Sequence, residues 1–512
     1  MHLILHICKK DVRRLWWAIL ATWLLLAALA QQDRWRADVI VGSAEGWLNL
    51  LLPLAWCCLI ALAVHEEAPA DDREFWLTRP YRWQTLLASK LLFAALFIHV
   101  PGLIADACIL ALRGFQPLAY LPELLEKQVM VAAVLTVPAM ALAALFASIA
   151  QFMLAALVIL GAAAYLSGVT QLYSPYLPPD WARYAVAGFV VSAAGFALLP
   201  LQYARRRTIP ARAAGAAAAV LAGLLLAYLP ANFTDRVNAM LHPAPGNIAI
   251  RISPSRHFPF PMQQFAPWTY AGIPLAVSGL AAPADFQTAR VDVELVGPDG
   301  QRYDSAKPGL SPDQLSNSFW GYIERTPDYY LLLRLPSSVW GRLKNGKVRI
   351  KGTITLWFQR AGQTEWMPLL GTPRMVAGVG LCSGNIGPPF NMIEDAGLKI
   401  LCESPAPFPA RTALRIWQPQ TGHSWTPGLT DGMYRQFGVK GSWLSPLNRR
   451  DSQIPIEDPA TAARLARPDT MTRELLQNAR MAITPYQTTG WAVVDFDFRD
   501  VKLGDYVKSP AH

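Results

Sequence analysis

Charged residues are scarce in this sequence. They make up 16% of its 512 residues, whereas hydrophobic residues make up 53%. An average soluble domain is about 25% charged, so this composition excludes an ordinary cytosolic enzyme. The mean hydropathy of +0.23 is still modest for a protein that lies wholly in a membrane. The composition therefore indicates a membrane part joined to a soluble part.

The motifs of nucleotide binding and hydrolysis are also missing. The nearest approach to the phosphate-binding loop GxxxxGK[ST] is Gly341–Val348, where Val348 replaces the Ser or Thr that would hold magnesium. We interpret Asn345-Gly346 as a hairpin turn instead. No HExxH or GxSxG occurs, and the histidines after Pro230 lack the spacing of metal ligands. We therefore expect no enzyme activity, no metal site and no cofactor in this chain.

Long basic runs are absent as well. No run of Lys or Arg exceeds the three residues Arg205, Arg206 and Arg207, and the formal charge is +4 up to Pro230 and +6 beyond it. A nucleic-acid-binding protein would cluster its basic residues on one face or arm. The dispersed charge excludes nucleic acid as a partner.

Long apolar segments are present before Pro230 and few follow it. A spanning helix needs about 20 mostly apolar residues, which predicts a polytopic membrane domain over 15–230 with about seven spans. The fourth and fifth form one apolar stretch that is too long for a single crossing, so we place a break near Ser148–Gln151. The predicted spans are 15–30, 47–65, 86–112, 128–148, 151–171, 184–201 and 213–230.

The positive-inside rule sets the expected orientation. With the N-terminus inside, the inner segments carry 11 Lys and Arg and the outer loops carry 5. We therefore expect a multi-pass protein of the plasma (inner) membrane with a cytoplasmic N-terminus. In a helix, residues 1–14 would place apolar side chains on one side and basic side chains on the opposite side, which predicts an amphipathic interfacial helix. A frayed extension of the first span is the alternative.

The inner segment 66–85 contains an unusual apolar group. Its sequence EEAPADDREFWLTRPYRWQT begins acidic, ends basic and has Phe75, Trp76 and Leu77 in its middle. Exposed aromatic residues between charges suggest a surface that docks on a partner. The same residues could instead lie in the lipid headgroup layer as an aromatic belt, and composition leaves both interpretations open.

The pattern E…REFWLTRPYRWQTLLASKLL, after an amphipathic helix and two spans, resembles the permeases of type-2 ATP-binding-cassette (ABC) transporters over residues 1–203. The resemblance implies a coupling helix in this segment, a separate ATPase subunit that binds ATP-Mg, and a second permease subunit in a homo- or heterodimer. A seventh span and a large following domain depart from that family. The resemblance assigns ATPase contact to Arg73, Glu74, Phe75, Trp76, Leu77, Arg79, Pro80, Trp83 and Lys90.

The sequence alone also admits a second function, a non-transport scaffold or sensor whose outer domain binds an envelope ligand. Within the spans, Asp106 is a candidate functional carboxylate because ionisable residues inside a membrane are costly. His99 lies two turns before it, with Pro101 between them. Asp106 could line a permeation path or bind a cation, or it could lie near the outer mouth beside a helix kinked at Pro101.

Residues 231–512 predict an extracytoplasmic all-β domain built as one or two sandwiches. Apolar and polar residues alternate at Val291–Leu295 and at Val348–Phe358, and the turn Gly297–Gly300 follows the first of these strands. Only Cys382 and Cys402 lie in this domain, each on a predicted strand. Because an extracytoplasmic compartment permits disulfides, we predict that this pair is bridged.

Overall fold

The computed structural model describes most of the chain. The described residues are 2–35, 41–67, 82–146, 148–159, 161, 181–205, 208–229, 232–244, 246–253, 268–279, 285–304, 320–326, 328–387, 396–405, 411–425, 436–437, 445–456 and 475–506. Among these described residues, those before Pro230 are mostly helical, and those beyond Leu241 form β-sheets together with the short helix Ser337–Leu343 and a 3-10 turn at Leu503–Tyr506. The two-part fold class is thus confirmed at this level.

Nine helices are described. They are α1 His2–Trp35, α2 Val41–His65, α3 Trp83–Leu112, α4 Pro117–Leu145, α5 Ile149–Ile159, α6 Trp181–Arg205, α7 Thr208–Tyr228, α8 Phe233–Leu241 and α9 Ser337–Leu343. In the described part of the chain, five of these contain a stretch long and apolar enough to cross a membrane: α1, α3, α4, α6 and α7. Among the described residues, the apolar parts of α2 and α5 cover Leu50–His65 and Ile149–Ile159, and the rest of the predicted span 151–171, apart from Gly161, lies outside the described residues. The described residues thus contain five candidate spans, and the count of about seven stays a prediction.

Helix bounds differ from the predicted spans in two informative ways. Helix α1 runs without a break through the predicted interfacial segment and the first span, to Trp35. Helix α4 begins at Pro117, about three turns before the predicted start at Gln128. The sequence placed Lys127 in an outer loop because it is charged, whereas the structure places it inside α4, where a partner on α3 compensates its charge.

Sixteen strands are described. They are β1 Ala249–Ile252, β2 Trp268–Ser278, β3 Asp285–Val296, β4 Arg302–Asp304, β5 Trp320–Thr326, β6 Asp328–Pro336, β7 Lys347–Ala361, β8 Glu365–Pro368, β9 Arg374–Val376, β10 Gly380–Gly387, β11 Ala396–Ser404, β12 Arg411–Trp417, β13 Ser424–Trp425, β14 Gln436–Phe437, β15 Asn448–Ile456 and β16 Arg480–Lys502. They form three sheets ordered β1-β2-β6-β5, β14-β15-β11-β10-β9 and β13-β12-β16-β7-β3-β4, with β8 beside β16.

The long strand β16 belongs to two sandwich cores. Its C-terminal half, with β3 and β7, packs Val494, Phe496 and Phe498 against the four-stranded sheet. Its N-terminal half, with β8 and β12, packs Met481 and Ile483 against the five-stranded sheet. Alternate residues of one strand point to one face, so a single strand of 23 residues can serve both cores in turn.

The segment Gly341–Val348 is not a phosphate-binding loop. Residues up to Leu343 belong to α9, and Lys347 begins β7, as the sequence predicted for a strand at this point. Asn345-Gly346 lies in the turn between that helix and strand, so the prediction of a strand-to-strand hairpin was wrong. The preceding Ser337–Leu343 turns helical because Val339 and Leu343 are buried in the first sandwich core.

The disulfide between Cys382 and Cys402 is confirmed. The two residues are directly opposite each other on the antiparallel strands β10 and β11, with Cα atoms 4.1 Å apart. Both side chains point into the second sandwich core. The neighbouring residues Leu381 and Glu403 therefore point to the other face of that sheet, where they meet the helices.

The β domain packs on one end of the helical bundle. Arg113, just beyond α3, lies 3.6 Å from the Glu403 carboxylate, and Leu447 packs with Ile109 and Leu110 of α3. Lys90 is 23 residues before Arg113 along the same helix, about 34 Å away at the helical rise. The bundle thus has a Lys90 end and an opposite end that carries the β domain.

Helix α8 connects the bundle to the first sandwich. Its Asn238 accepts a hydrogen bond from the Trp181 indole at the start of α6 (3.2 Å). Its Asp235 is buried against the sheet, where it pairs with Arg290 of β3 (3.1 Å) and accepts a hydrogen bond from Thr355 of β7 (3.3 Å). These contacts fix where the chain leaves the helical bundle and enters the sheets.

Candidate functional site

The residues of the predicted coupling segment fall into two groups. Seven of them lie outside the described residues: Arg73, Glu74, Phe75, Trp76, Leu77, Arg79 and Pro80. Trp83 is the first residue of α3 and packs, partly buried, against the helical core. Lys90 lies two turns further along α3 and is almost completely buried.

Lys90 occupies a buried ionic network at its end of the bundle. Its Nζ is 2.8 Å from Asp11 of α1 and forms a second ion pair with Glu67, just beyond α2. The side chains of Lys90 and Asp11 are 1% and 0% exposed. Lys10 binds the other oxygen of Glu67 at 2.6 Å. Burial raises the pKa of Glu67, but Lys90 and Lys10 lower it more, so the pKa lies below its usual value.

The network ties the flanks of segment 68–81 to one helix. Glu67 immediately precedes this segment, Lys90 follows it on α3, and both bind the N-terminal part of α1. Arg14 of α1 adds an exposed pair with Glu66 at 2.7 Å. A buried charge that loses its partner is strongly destabilising. The ion pairs therefore stabilise the packing of α1 against α3 and against the end of α2.

A second polar network joins α3 and α4 within the apolar region. Asp106 Oδ1 is 2.7 Å from Lys127 Nζ, and its Oδ2 accepts a hydrogen bond from Gln128 Nε2 at 3.1 Å. Gln128 Oε1 lies 3.2 Å from His99 Nδ1, and Thr136 Oγ1 lies 3.1 Å from His99 Nε2. The Gln128 amide donates to Asp106, so its oxygen accepts from His99 Nδ1–H. A hydrogen bond between His99 Nε2 and the Thr136 hydroxyl then joins both ring nitrogens to α4.

Asp106 and His99, the two polar candidates that the sequence singled out within the spans, both belong to this network. Asp106 binds side chains of a neighbouring helix and is compensated by Lys127, so the structure favours a role in pairing α3 with α4. The sequence missed Lys127, Gln128 and Thr136, because the first was assigned to a loop and the other two are uncharged. Gly102 contributes space, since a Cβ there would lie 3.3 Å from Gln128 Nε2.

Two π-helical turns lie beside this network. One covers Ala95–His99 in α3 and the other covers Ala132–Thr136 in α4, and each ends on a residue of the network. Each is followed by Val-Pro, at Val100-Pro101 and Val137-Pro138. Proline has no N–H for the preceding helical turn, and a wider turn is one way in which a helix accommodates that loss.

Side chains of neighbouring helices bind carbonyl groups in these turns. The Trp23 indole of α1 donates to the carbonyl oxygen of Phe97 at 3.2 Å. The Ser192 hydroxyl of α6 lies 2.7 Å from the carbonyl oxygen of Ala133. In an apolar environment backbone groups need internal partners. Both turns are thus built into the packing, and α1 and α6 meet α3 and α4 where those helices are irregular.

Helix α3 connects all these features in order. From one end to the other it carries Lys90, the π turn ending at His99, Asp106 and the contact of Arg113 with the β domain. The described residues contain no group of three His, Cys, Asp or Glu that could hold a metal ion.

Comparisons with known proteins give no identification. No family model, no curated protein and no solved structure matches the chain.

Proposed function

We propose that this chain is the transmembrane subunit of an ABC-type export complex. A separate ATPase subunit would bind ATP-Mg and dock on the segment Arg73–Trp83, and a second permease subunit would complete the path. The chain would lie in the plasma (inner) membrane with the Lys90 end toward the cytoplasm and the β domain outside. The proposal rests on the sequence pattern of the segment and on the structure of its two flanks.

The Lys90 network is the observation that carries the proposal. A docking segment transmits force only if its flanks are fixed to the helices that must move. Here Lys90 binds Asp11 of α1 in a buried ion pair, and Glu67 binds Lys10 of α1, whose side chain is 38% exposed. The five apolar helices supply a membrane region in which such a movement would act. Bends at the π turns of α3 and α4 would then carry the movement toward Arg113 and the β domain.

Co-purification tests the proposal directly. The full-length protein is extracted in detergent from its native membrane, and the chains that accompany it are identified by mass spectrometry. We expect a P-loop ATPase with the wild type and its loss in a Phe75→Asp, Leu77→Asp variant, because two carboxylates would prevent an apolar docking contact. The control Met240→Asp, Met375→Asp places the same charges at positions that are 80% and 49% exposed, and it should retain the ATPase.

One structural observation favours the scaffold or sensor as a second candidate. The contacts of Arg113 and Leu447 give the β domain a direct connection to α3, so a ligand on the outer domain could act on the helices without an ATPase. Absence of any ATPase, under conditions that retain other partners, would reject the transporter proposal and leave this alternative.

A further inference from the structure

One exposed face of the second sandwich carries two tryptophans and two arginines around a single alanine. Trp366 of β8 is opposite Ala482 of β16, and Ala482 is in turn opposite Arg415 of β12. Two residues away on β16, Arg480 is opposite Trp417. Residues in register on neighbouring strands share a face. We refer to Trp366, Trp417, Arg415 and Arg480 as the Trp–Arg patch.

The two indoles lie against each other and beside a guanidinium group. The rings of Trp366 and Trp417 meet edge to face with centroids 6.0 Å apart, and the Arg480 guanidinium carbon is 5.9 Å from the Trp366 centroid. Trp366 is 40% exposed although it is a large apolar side chain. Both arginines are exposed, whereas Ala482 between them is buried. Because Arg480 lies over one face of the Trp366 ring, the patch presents the remaining exposed surface of that indole next to two cations.

The patch faces away from the helices. Ile416 and Met481, the neighbours of Trp417 and Arg480 along their strands, point into the second sandwich core, so the patch lies on the outer face of this sheet. The other sheet of the same sandwich turns its own outer face, with Leu381 and Glu403, toward α3. The sandwich therefore separates the patch from the helical bundle.

The guanidinium groups of the two arginines can pair with an anionic ligand. No carboxylate among the described residues lies within ion-pair distance of Arg415 or Arg480, and Arg415 Nε donates to the Ser424 hydroxyl at 2.8 Å. The two arginines are diagonal neighbours on adjacent strands, a relation that places their Cβ atoms slightly less than about 7–8 Å apart. Guanidinium groups bind carboxylate or phosphate groups through paired hydrogen bonds. An anionic ligand fits this charge arrangement.

We propose that the Trp–Arg patch binds anionic saccharides. The C–H face of a sugar ring would pack on the exposed indole, as apolar groups pack on aromatic rings, and the arginines would hold the carboxylate or phosphate of the same or the next sugar. A specific protein interface uses about 20–30 residues on each side, whereas this patch consists of four side chains, which suits one or two sugar rings. The inference needs no ATPase and does not depend on the proposed transport function.

The test measures saccharide binding by the full-length protein in lipid nanodiscs. The probe is a fluorescent oligogalacturonate, which carries a carboxylate on every ring, and the reference is a neutral malto-oligosaccharide of equal length. We expect binding of the acidic probe only, and a Kd about tenfold higher in Arg415→Gln, Arg480→Gln, since each lost hydrogen bond to a charged group weakens binding substantially. Trp366→Ala should raise the Kd to a similar extent.

Control variants separate this site from general charge attraction. Arg360→Gln, Arg374→Gln removes the same charge at two exposed arginines outside the patch and should leave the Kd unchanged. Trp366→Phe retains an aromatic face and should bind within about threefold of the wild type, with an unchanged melting temperature as evidence of folding.

Four results would overturn the proposal. They are equal binding of the neutral probe, an equal loss in the control arginine variant, no binding by the wild type, and an equal loss in Trp366→Phe. Crosslinking of the patch to an envelope protein in cells, without saccharide binding, would assign the surface to a protein partner instead.

Discussion

Lys90 is the central residue of the ionic network at its end of the bundle. The amino group is almost fully buried and is held by carboxylates from two other chain segments, Asp11 and Glu67. The sequence singled out Lys90 through its place after the inner segment. It gave no sign of Asp11 as a partner, because 79 residues separate the two.

Replacing Lys90 with Met should destabilise the protein by about 3 kcal/mol, because Asp11 would remain buried without its ion-pair partner and Glu67 would keep only Lys10. The measurement is the thermal unfolding midpoint of the detergent-solubilised protein. The matched variant Arg14→Met breaks a pair whose arginine is 67% exposed, and such a pair is worth about 0–1 kcal/mol. Equal shifts in the two variants would contradict a special role for Lys90.

A compensating variant distinguishes lost charge balance from lost packing. Lys90→Met combined with Asp11→Leu and Glu67→Gln removes the buried charges together, and this combination should recover much of the lost stability. If the stability is not recovered, the effect of Lys90→Met comes from lost packing of the Lys90 side chain and not from lost charge balance.

At the scale of elements, the π turns of α3 and α4 are the features that distinguish these helices from simple spans. Apolar periodicity predicted the spans but not the turns, since a π turn changes the hydrogen-bond register and leaves composition untouched. The sequence signal was Val-Pro after both His99 and Thr136. The partners Trp23 and Ser192 come from other helices, so only tertiary structure could supply them.

Replacing Pro101 with Ala should make α3 more regular. Alanine restores the missing N–H, so the π turn at Ala95–His99 loses its local cause. We expect slower amide hydrogen exchange for peptides over residues 95–105, measured by mass spectrometry. Pro210→Ala is the control, because Pro210 is in the first turn of α7, where an N–H has no helical partner. Unchanged or faster exchange over residues 95–105 would show that tertiary contacts alone maintain the turn.

At the scale of the whole molecule, the contacts separate two ends. The Lys90 network lies at one end, and the β domain packs on the other through Arg113, Leu447 and α8. A structural change at one end can reach the other along α3 without leaving that helix. This arrangement fits either a transporter driven from the Lys90 end or a sensor driven from the β domain.

Cysteine labelling tests the expected orientation. In a background with Cys8, Cys57, Cys58 and Cys108 replaced by Ala, single cysteines are placed at Ser278 in β2 and at Ser148 before α5, both of which are exposed. An impermeant maleimide should label only Ser278→Cys in intact cells and both variants after permeabilisation. Labelling of Ser148→Cys alone in intact cells would reverse the predicted topology.

The sequence by itself determined the division of the chain, the alternating strands and the disulfide. These depend on local composition and periodicity, and on the fact that only two cysteines lie in the β domain. The tertiary structure decided the partners of Lys90 and Asp106, the extension of α4 back to Pro117, and the surroundings of Ala482 in the Trp–Arg patch. The ion pairs and the Trp–Arg patch bring together residues from separate segments of the chain, and burial of charge or strand register, rather than local pattern, selects them.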